Sequence, residues 1–233
     1  MANKASPLAQ QKGKKYAEKA ALIEKKSYPV AEAVALLTKL STSSFDGTAE
    51  AHIRINADTT QADQLVRTTV ALPHGTGKNV RIAAFVQDDL VEKAKKAGAD
   101  KAGNDDLIKE VDGGKIDFDV AVASPEVMKS LGKIAKTLGQ KGLMPNPKAG
   151  TVTQDVERTI SELKKGRIEC KMDKEGIIHT TFGKISFGEK KLQENLDTLI
   201  NAIKEAQPIG IKGAYISSIT ITPTMGPGLK VTT

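Results

Sequence analysis

Few residues of this 233-residue chain have the type and spacing for chemistry. Pro73, His74, Gly75, Thr76, Gly77 and Lys78 outline a phosphate loop, but the spacing rejects that reading. A P-loop runs G-x-x-x-x-G-K-[ST]; here Gly75 stands three residues before Lys78, and Asn79 follows the lysine. The turn also precedes an apolar run rather than a helix, so no helix N-terminus waits for a phosphate. A structural or RNA-facing loop remains. His52, His74 and His179 are scattered without metal-ligand spacing or a nucleophile pattern. Cys170 is the sole cysteine, so it forms no intramolecular disulfide or zinc cluster, and it reads as a buried thiol. The acidic pairs Asp88-Asp89 and Asp105-Asp106 open helices, where the helix dipole accounts for them. The expectation is no enzyme, no cofactor and no metal.

What remains is polar surface and charge. The net charge is +7, and aromatic residues are 3% of the chain with no Trp, which argues against a sheet built for base stacking. Residues 1–26 hold seven Lys against Glu18 and Glu24, so most of the surplus lies in an N-terminal arm. Such an arm reads either as a polyanion contact or as a soluble, frayed terminus. No apolar run reaches the roughly 18 residues of a membrane span, and no apolar segment follows the first lysines as a secretory signal would have. A cytoplasmic, membrane-free protein is expected.

These residues need elements to position them. Pro29 starts a helix over residues 29–40, with Ala33, Val34 and Leu37 on one face. Residues 48–56 alternate strictly: Ala49, Ala51, Ile53 and Ile55 face one side, Thr48, Glu50, His52 and Arg54 the other. The middle of the chain changes grammar. Apolar strands at 80–86 and 118–123 alternate with helices at 88–98, 104–111 and 124–138, the last capped by Ser124, which implies parallel pairing. Residues 139–150, with three Gly and two Pro, read as a long ordered loop. A helix at 155–165, a hairpin at 167–181, a helix at 190–206 and a strand at 213–222 follow. The fold class expected is α/β in two domains: a discontinuous α+β domain from residues 1–66 and 159–233, and an inserted α/β domain at 67–158.

The polar strand face of Thr48, Glu50, His52 and Arg54, with the turn at Thr224, carries groups that read ribose 2′-OH and sugar edges. A solvated strand face is the alternative on pattern alone.

Two longer stretches go further. Gly142-Leu143-Met144-Pro145-Asn146-Pro147-Lys148-Ala149-Gly150-Thr151-Val152 and Thr224-Met225-Gly226-Pro227 resemble signature segments of the bacterial large-subunit ribosomal protein one family, the stalk proteins. Leu72 to Lys78, Phe118-Asp119, Asp173-Lys174 and Gly176-Ile177-Ile178-His179-Thr180 match in the same order, so the resemblance covers essentially the whole chain. It departs at Ser44, Thr68 and Gln140, where lysine, glycine and proline are usual.

The resemblance implies a non-catalytic ribosomal protein, monomeric when free, with residues 67–158 forming an inserted Rossmann-like three-layer α/β domain. The domain built from both chain ends would dock on the 23S ribosomal RNA stalk. The protein would assist release of deacylated exit-site tRNA, and would repress translation by binding its own operon mRNA. RNA contacts carried over by matching position are Phe45, Thr48 and Glu50, with Thr224, Met225 and Gly226 in the most characteristic turn, and Arg167, His179 and Lys184 in matching strands. His52 joins them from the polar strand face. Thr224 can bond a 2′-OH, Met225 can lie on a base or ribose, and Gly226 lets backbone approach closely.

Overall fold

The computed structural model describes residues 13–24, 26–61, 63–208, 211 and 213–232. Residues 1–12 of the basic arm lie outside the described residues. The chain divides into two compact units, residues 1–66 with 170–233, and residues 67–169.

The first unit is a four-stranded sheet under two helices. Strand β1 (Thr48–Ile55) runs antiparallel between β7 (Ile177–Lys184) and β8 (Ile216–Pro223), and β9 (Leu229–Val231) adds the far edge, giving the order β7-β1-β8-β9. Alternation decides which face is covered. Ala49, Ala51, Ile53, Ile178, Phe182, Ile219 and Ile221 are buried on one face. Helices α2 (Val30–Leu40) and α8 (Glu189–Glu205) pack on each other and on the sheet, burying Val34, Leu37, Leu192, Leu196, Leu199 and Ile203. Asn195 sits fully buried on the α8 stripe because its amide donates to Phe182 O at 2.8 Å, which removes the penalty of burying it. Part of the basic arm is helical: α1 (Lys14–Ala20) buries no residue and is tied down by Lys19 Nζ, which donates to Lys39 O at 2.6 Å.

The second unit has a parallel sheet ordered β4-β3-β5, from β3 (Ile82–Phe85), β4 (Lys101–Gly103) and β5 (Val120–Ala123). Both faces are covered, which explains the all-apolar β3. Phe85, Leu107, Ile108, Val111, Phe118, Leu131 and Leu138 form the core on one face, under α4 (Asp105–Asp112), α5 (Met128–Leu131) and α6 (Ala135–Gln140). Ile82, Ala84, Ala94, Val122, Val156, Ile160 and Leu163 form the other, under α3 (Asp88–Lys96) and α7 (Val156–Lys164).

Several expectations change. The second crossing falls after Glu169 rather than at 158. The reason is α7, whose Val156, Ile160 and Leu163 complete the core of the parallel sheet. The helix expected at 124–138 begins at Met128, passes through a 3-10 turn at Gly132–Ile134 and resumes as α6. Gly132 is a weak helix former. Ser124 does not cap it; its buried hydroxyl has no hydrogen-bond partner among the described residues. Strands β2 (Arg67–Ala71), β4 and β9 add to those the sequence pattern marks, and β2 pairs with β6 (Arg167–Lys171) in a two-stranded sheet.

The glycine-rich turn before β3 has a packing role. A Cβ on Gly166 (φ +102°) would stand 2.3 Å from Gly75 Cα, so the turn and the α7–β6 corner meet backbone to backbone. The 139–150 loop is likewise ordered from inside: Leu143 and Met144 pack on the core, and Thr151 Oγ1 accepts from Asn146 N–H at 2.8 Å.

Candidate nucleic-acid interface

The uncovered face of the four-stranded sheet collects polar side chains because each strand alternates. β1 supplies Thr48, Glu50, His52 and Arg54; β7 supplies His179 and Thr181; β8 supplies Ser218, Thr220 and Thr222. The register sets the neighbours: Glu50 lies between Thr181 and Thr222, and His52 between His179 and Thr220. A register shift between Ala49 and Glu50, opposite Gly183 and Thr181, re-aims the end of β7. Lys184 Nζ thereby donates to Thr48 Oγ1 at 3.1 Å and Asp46 O at 3.4 Å.

One end of this face is closed by the turn after β8. Thr48 N–H donates to Thr224 Oγ1 at 2.9 Å, and Thr224 Oγ1 donates to Thr48 O at 3.2 Å. Met225 follows with φ +64°, the only non-glycine residue at positive φ among the described residues. Such backbone is strained for a methionine. The strain is held by Thr42 Oγ1 donating to Met225 O at 3.1 Å and by Gly226 N–H donating to Pro223 O at 2.8 Å. Gly226 is required: a Cβ there would stand 2.5 Å from Pro223 Cγ and 3.0 Å from Leu40 O. The Met225 side chain is 76% exposed and Phe45 60% exposed, large apolar groups left to solvent. Both line a shallow groove with Lys15 and Tyr16 of α1 and Thr42, Ser43 and Ser44.

His52 and His179 meet on the open face, Nδ1 to Nδ1 at 2.8 Å. Burial lowers the pKa of His52 and the neighbouring His179 adds to this, while Glu50 opposes it. Asp173 is held below the usual carboxylate range, first by the Ile177 N–H donated to its Oδ1 at 2.8 Å and further by Glu175 N–H and His179.

The structure brings Phe45, Thr48, Glu50, His52, His179, Lys184, Thr224, Met225 and Gly226 together in the first unit. Arg167 falls in the second unit, where Nη1 meets Glu162 Oε2 at 2.8 Å and Nη2 donates to Thr69 Oγ1 at 3.1 Å. Its bonds inside that unit account for it. Lys15 and Tyr16 join the groove only through the placement of α1, which no local sequence pattern marks, whereas the alternation of residues 213–222 already sets Ser218, Thr220 and Thr222 on one side. No group of three or more His, Cys, Asp or Glu is placed to hold a metal among the described residues, and no described helix is long and apolar enough to cross a membrane.

Comparison with known proteins adds to this geometry. A model of the ribosomal protein L1p/L10e family matches residues 37–227. A large ribosomal subunit protein uL1 from Chloroflexus aggregans is 52% identical over 223 residues, covering 94% of each chain. Another of that name, from Chloroflexus aurantiacus, is 51% identical over the same share of each. The family model spans most of the sequence and the relatives match nearly all of it, so the chain belongs to the ribosomal protein L1p/L10e family, a family of ribosomal proteins rather than enzymes.

Proposed function

We propose that the chain is a structural protein of the large ribosomal subunit that binds the 23S rRNA stalk through the open face of its four-stranded sheet. The observation that carries this is the join of Thr48 to Thr224, which sets an exposed Met225 and Phe45 beside a face of hydroxyls with the Glu50 carboxylate and few cations. Hydroxyls and close backbone read ribose, and exposed apolar side chains lie against sugars or bases. Arg54 and Lys184 supply limited phosphate attraction on the face, and Lys15 adds to it from the groove. Recognition therefore rests on shape and sugar contacts more than on charge.

Bound to the stalk, the protein assists release of deacylated tRNA from the exit site. Free, it represses translation by binding a stalk-like fold in its own operon mRNA. Cosedimentation with large subunits tests the first role; binding of the purified protein to its own messenger leader, displaced by stalk RNA, tests the last. A protein that stays at the top of the gradient and ignores both RNAs contradicts the proposal.

A further inference from the structure

We infer that His52 and His179 form a proton-dependent phosphate site on the sheet face, which takes up one proton as RNA binds, so that affinity rises as pH falls. This rests on the RNA-binding reading above and adds regulation to the same surface.

The two histidines stand directly opposite each other on β1 and β7. Their rings meet edge to face with centroids 5.0 Å apart, and the Nδ1 atoms are 2.8 Å apart. Two ring nitrogens that close need one hydrogen between them, so one donates and the other accepts. The outer nitrogens face carboxylates: His179 Nε2 is 3.2 Å from Asp173 Oδ2, and His52 Nε2 is 3.9 Å from Glu50 Oε2. Asp173, His179, His52 and Glu50 thus form one row across the open face.

The hydrogens can be counted along the row. Two neutral rings carry two hydrogens on four nitrogens. One lies between the Nδ1 atoms. The other belongs on His179 Nε2, whose carboxylate is within hydrogen-bond distance. His52 then donates from Nδ1, and its Nε2 turns a bare lone pair toward solvent and Glu50. One further proton has a place, on His52 Nε2. It makes His52 a cation and disturbs neither existing bond. A second would put hydrogens on both Nδ1 atoms and push the rings apart. The capacity of the pair is one proton.

The surroundings set when that proton arrives. On β1 the flanking charged groups are Glu50 and Arg54; the turn before β7 brings Asp173, Lys174 and Glu175; Lys184 ends β7. β8 offers only Thr220 opposite His52, with Ser218 and Thr222 on either side, and β9 places Lys230 opposite Thr220. Burial and the facing His179 hold the His52 pKa down, against Glu50. His52 in the free protein is therefore neutral at neutral pH. A neutral pair shows a phosphate a lone pair; a protonated pair shows it an N–H and a positive charge. A phosphate on the face thus raises the pKa of His52. Affinity gained this way is fully present below the free pKa and lost as pH rises through the bound one. A rise of about one unit on binding corresponds to about tenfold in affinity.

The test measures binding of the full-length protein to a stalk-derived 23S transcript from about pH 5.5 to 8, where histidine titrates, at fixed salt. Kd is expected to tighten severalfold toward low pH, and calorimetry in buffers of different ionisation enthalpy is expected to read uptake of up to one proton. His52→Gln should flatten the profile, and His179→Gln, which removes a group that holds the His52 pKa down, should shift it toward higher pH. His74→Gln, in the other unit, should do neither. A flat wild-type profile, or an equally steep profile in the His52 variant, overturns the inference. Thr224→Val, measured alongside, separates the two claims. If it weakens binding while the profile is flat, the RNA reading stands and the proton site falls; if RNA fails to bind at every pH, the RNA reading itself falls.

Discussion

The Thr224 hydroxyl is bonded twice to Thr48, accepting from its N–H at 2.9 Å and donating to its carbonyl at 3.2 Å, across 176 residues of chain. The only hydrogen of that hydroxyl is used inside the protein. One lone pair remains to accept from a ribose 2′-OH. Thr224 therefore fixes where the turn stands as well as touching RNA. Thr224→Val keeps the side-chain shape but leaves the Thr48 N–H without its partner. The expected loss is about 1–3 kcal/mol in RNA affinity, with the sheet still folded by circular dichroism. Unchanged affinity would remove the turn from the interface.

Gly226 is a sharper probe of geometry than of chemistry. Gly226→Ala adds one methyl group, which would stand 2.5 Å from the Pro223 ring and 3.0 Å from Leu40 O. The turn must shift, and with it Met225, already strained at φ +64°. RNA affinity is expected to fall at least as far as in Met225→Ala, with a lower Tm, because alanine at 226 moves a contact while alanine at 225 only shortens one. Wild-type affinity in Gly226→Ala would mean that the position of the turn is unimportant.

The boundary between the units gives a prediction about folding. Excising residues 67–158 would leave Ile160 and Leu163 of α7 stripped of the sheet they cover. Excising 67–169, with a short linker, takes the whole helix with its core. The longer excision is expected to give a soluble protein that still binds stalk RNA, and the shorter one to aggregate. Light scattering and RNA binding on both variants decide this; equal behaviour would mean that α7 does not belong to the middle core.

Salt dependence weighs charge against shape. Each phosphate neutralised adds roughly 0.7 to 0.9 to the slope of log affinity against log salt. With Arg54, Lys184 and Lys230 on the sheet face and Lys15 in the groove, a shallow slope is expected. A slope equivalent to about eight or more phosphates would make the lysine-rich arm the main determinant.

Legibility in the sequence followed the range of the physics. Strand β1 and helix α8 were visible because period two and period 3.6 are local patterns, and Thr48, Glu50 and His52 fell on the polar side of β1 by counting alone. The ends of the middle unit were harder. The apolar face of α7 reads the same whichever sheet it covers, so the sequence puts the second crossing at 158 and the structure puts it 11 residues later, at 169. β4 has three residues, too few to show a period. The contact between His52 and His179 depends on the β1–β7 register and on the irregularity at Ala49–Glu50, neither of which is written in either strand. Arg167 matched by position, yet Glu162 and Thr69, which hold it, come from other elements of the middle unit.

The central claim is that the open sheet face reads RNA through ribose and shape. The most direct measurement is binding of the purified protein to a stalk-derived RNA fragment in competition with the DNA version of the same sequence. The account predicts tight binding that DNA fails to displace, because the hydroxyls around Thr48 and Thr224 have no 2′-OH to meet on DNA. Equal displacement by DNA would contradict it and leave a basic chain that binds any polyanion.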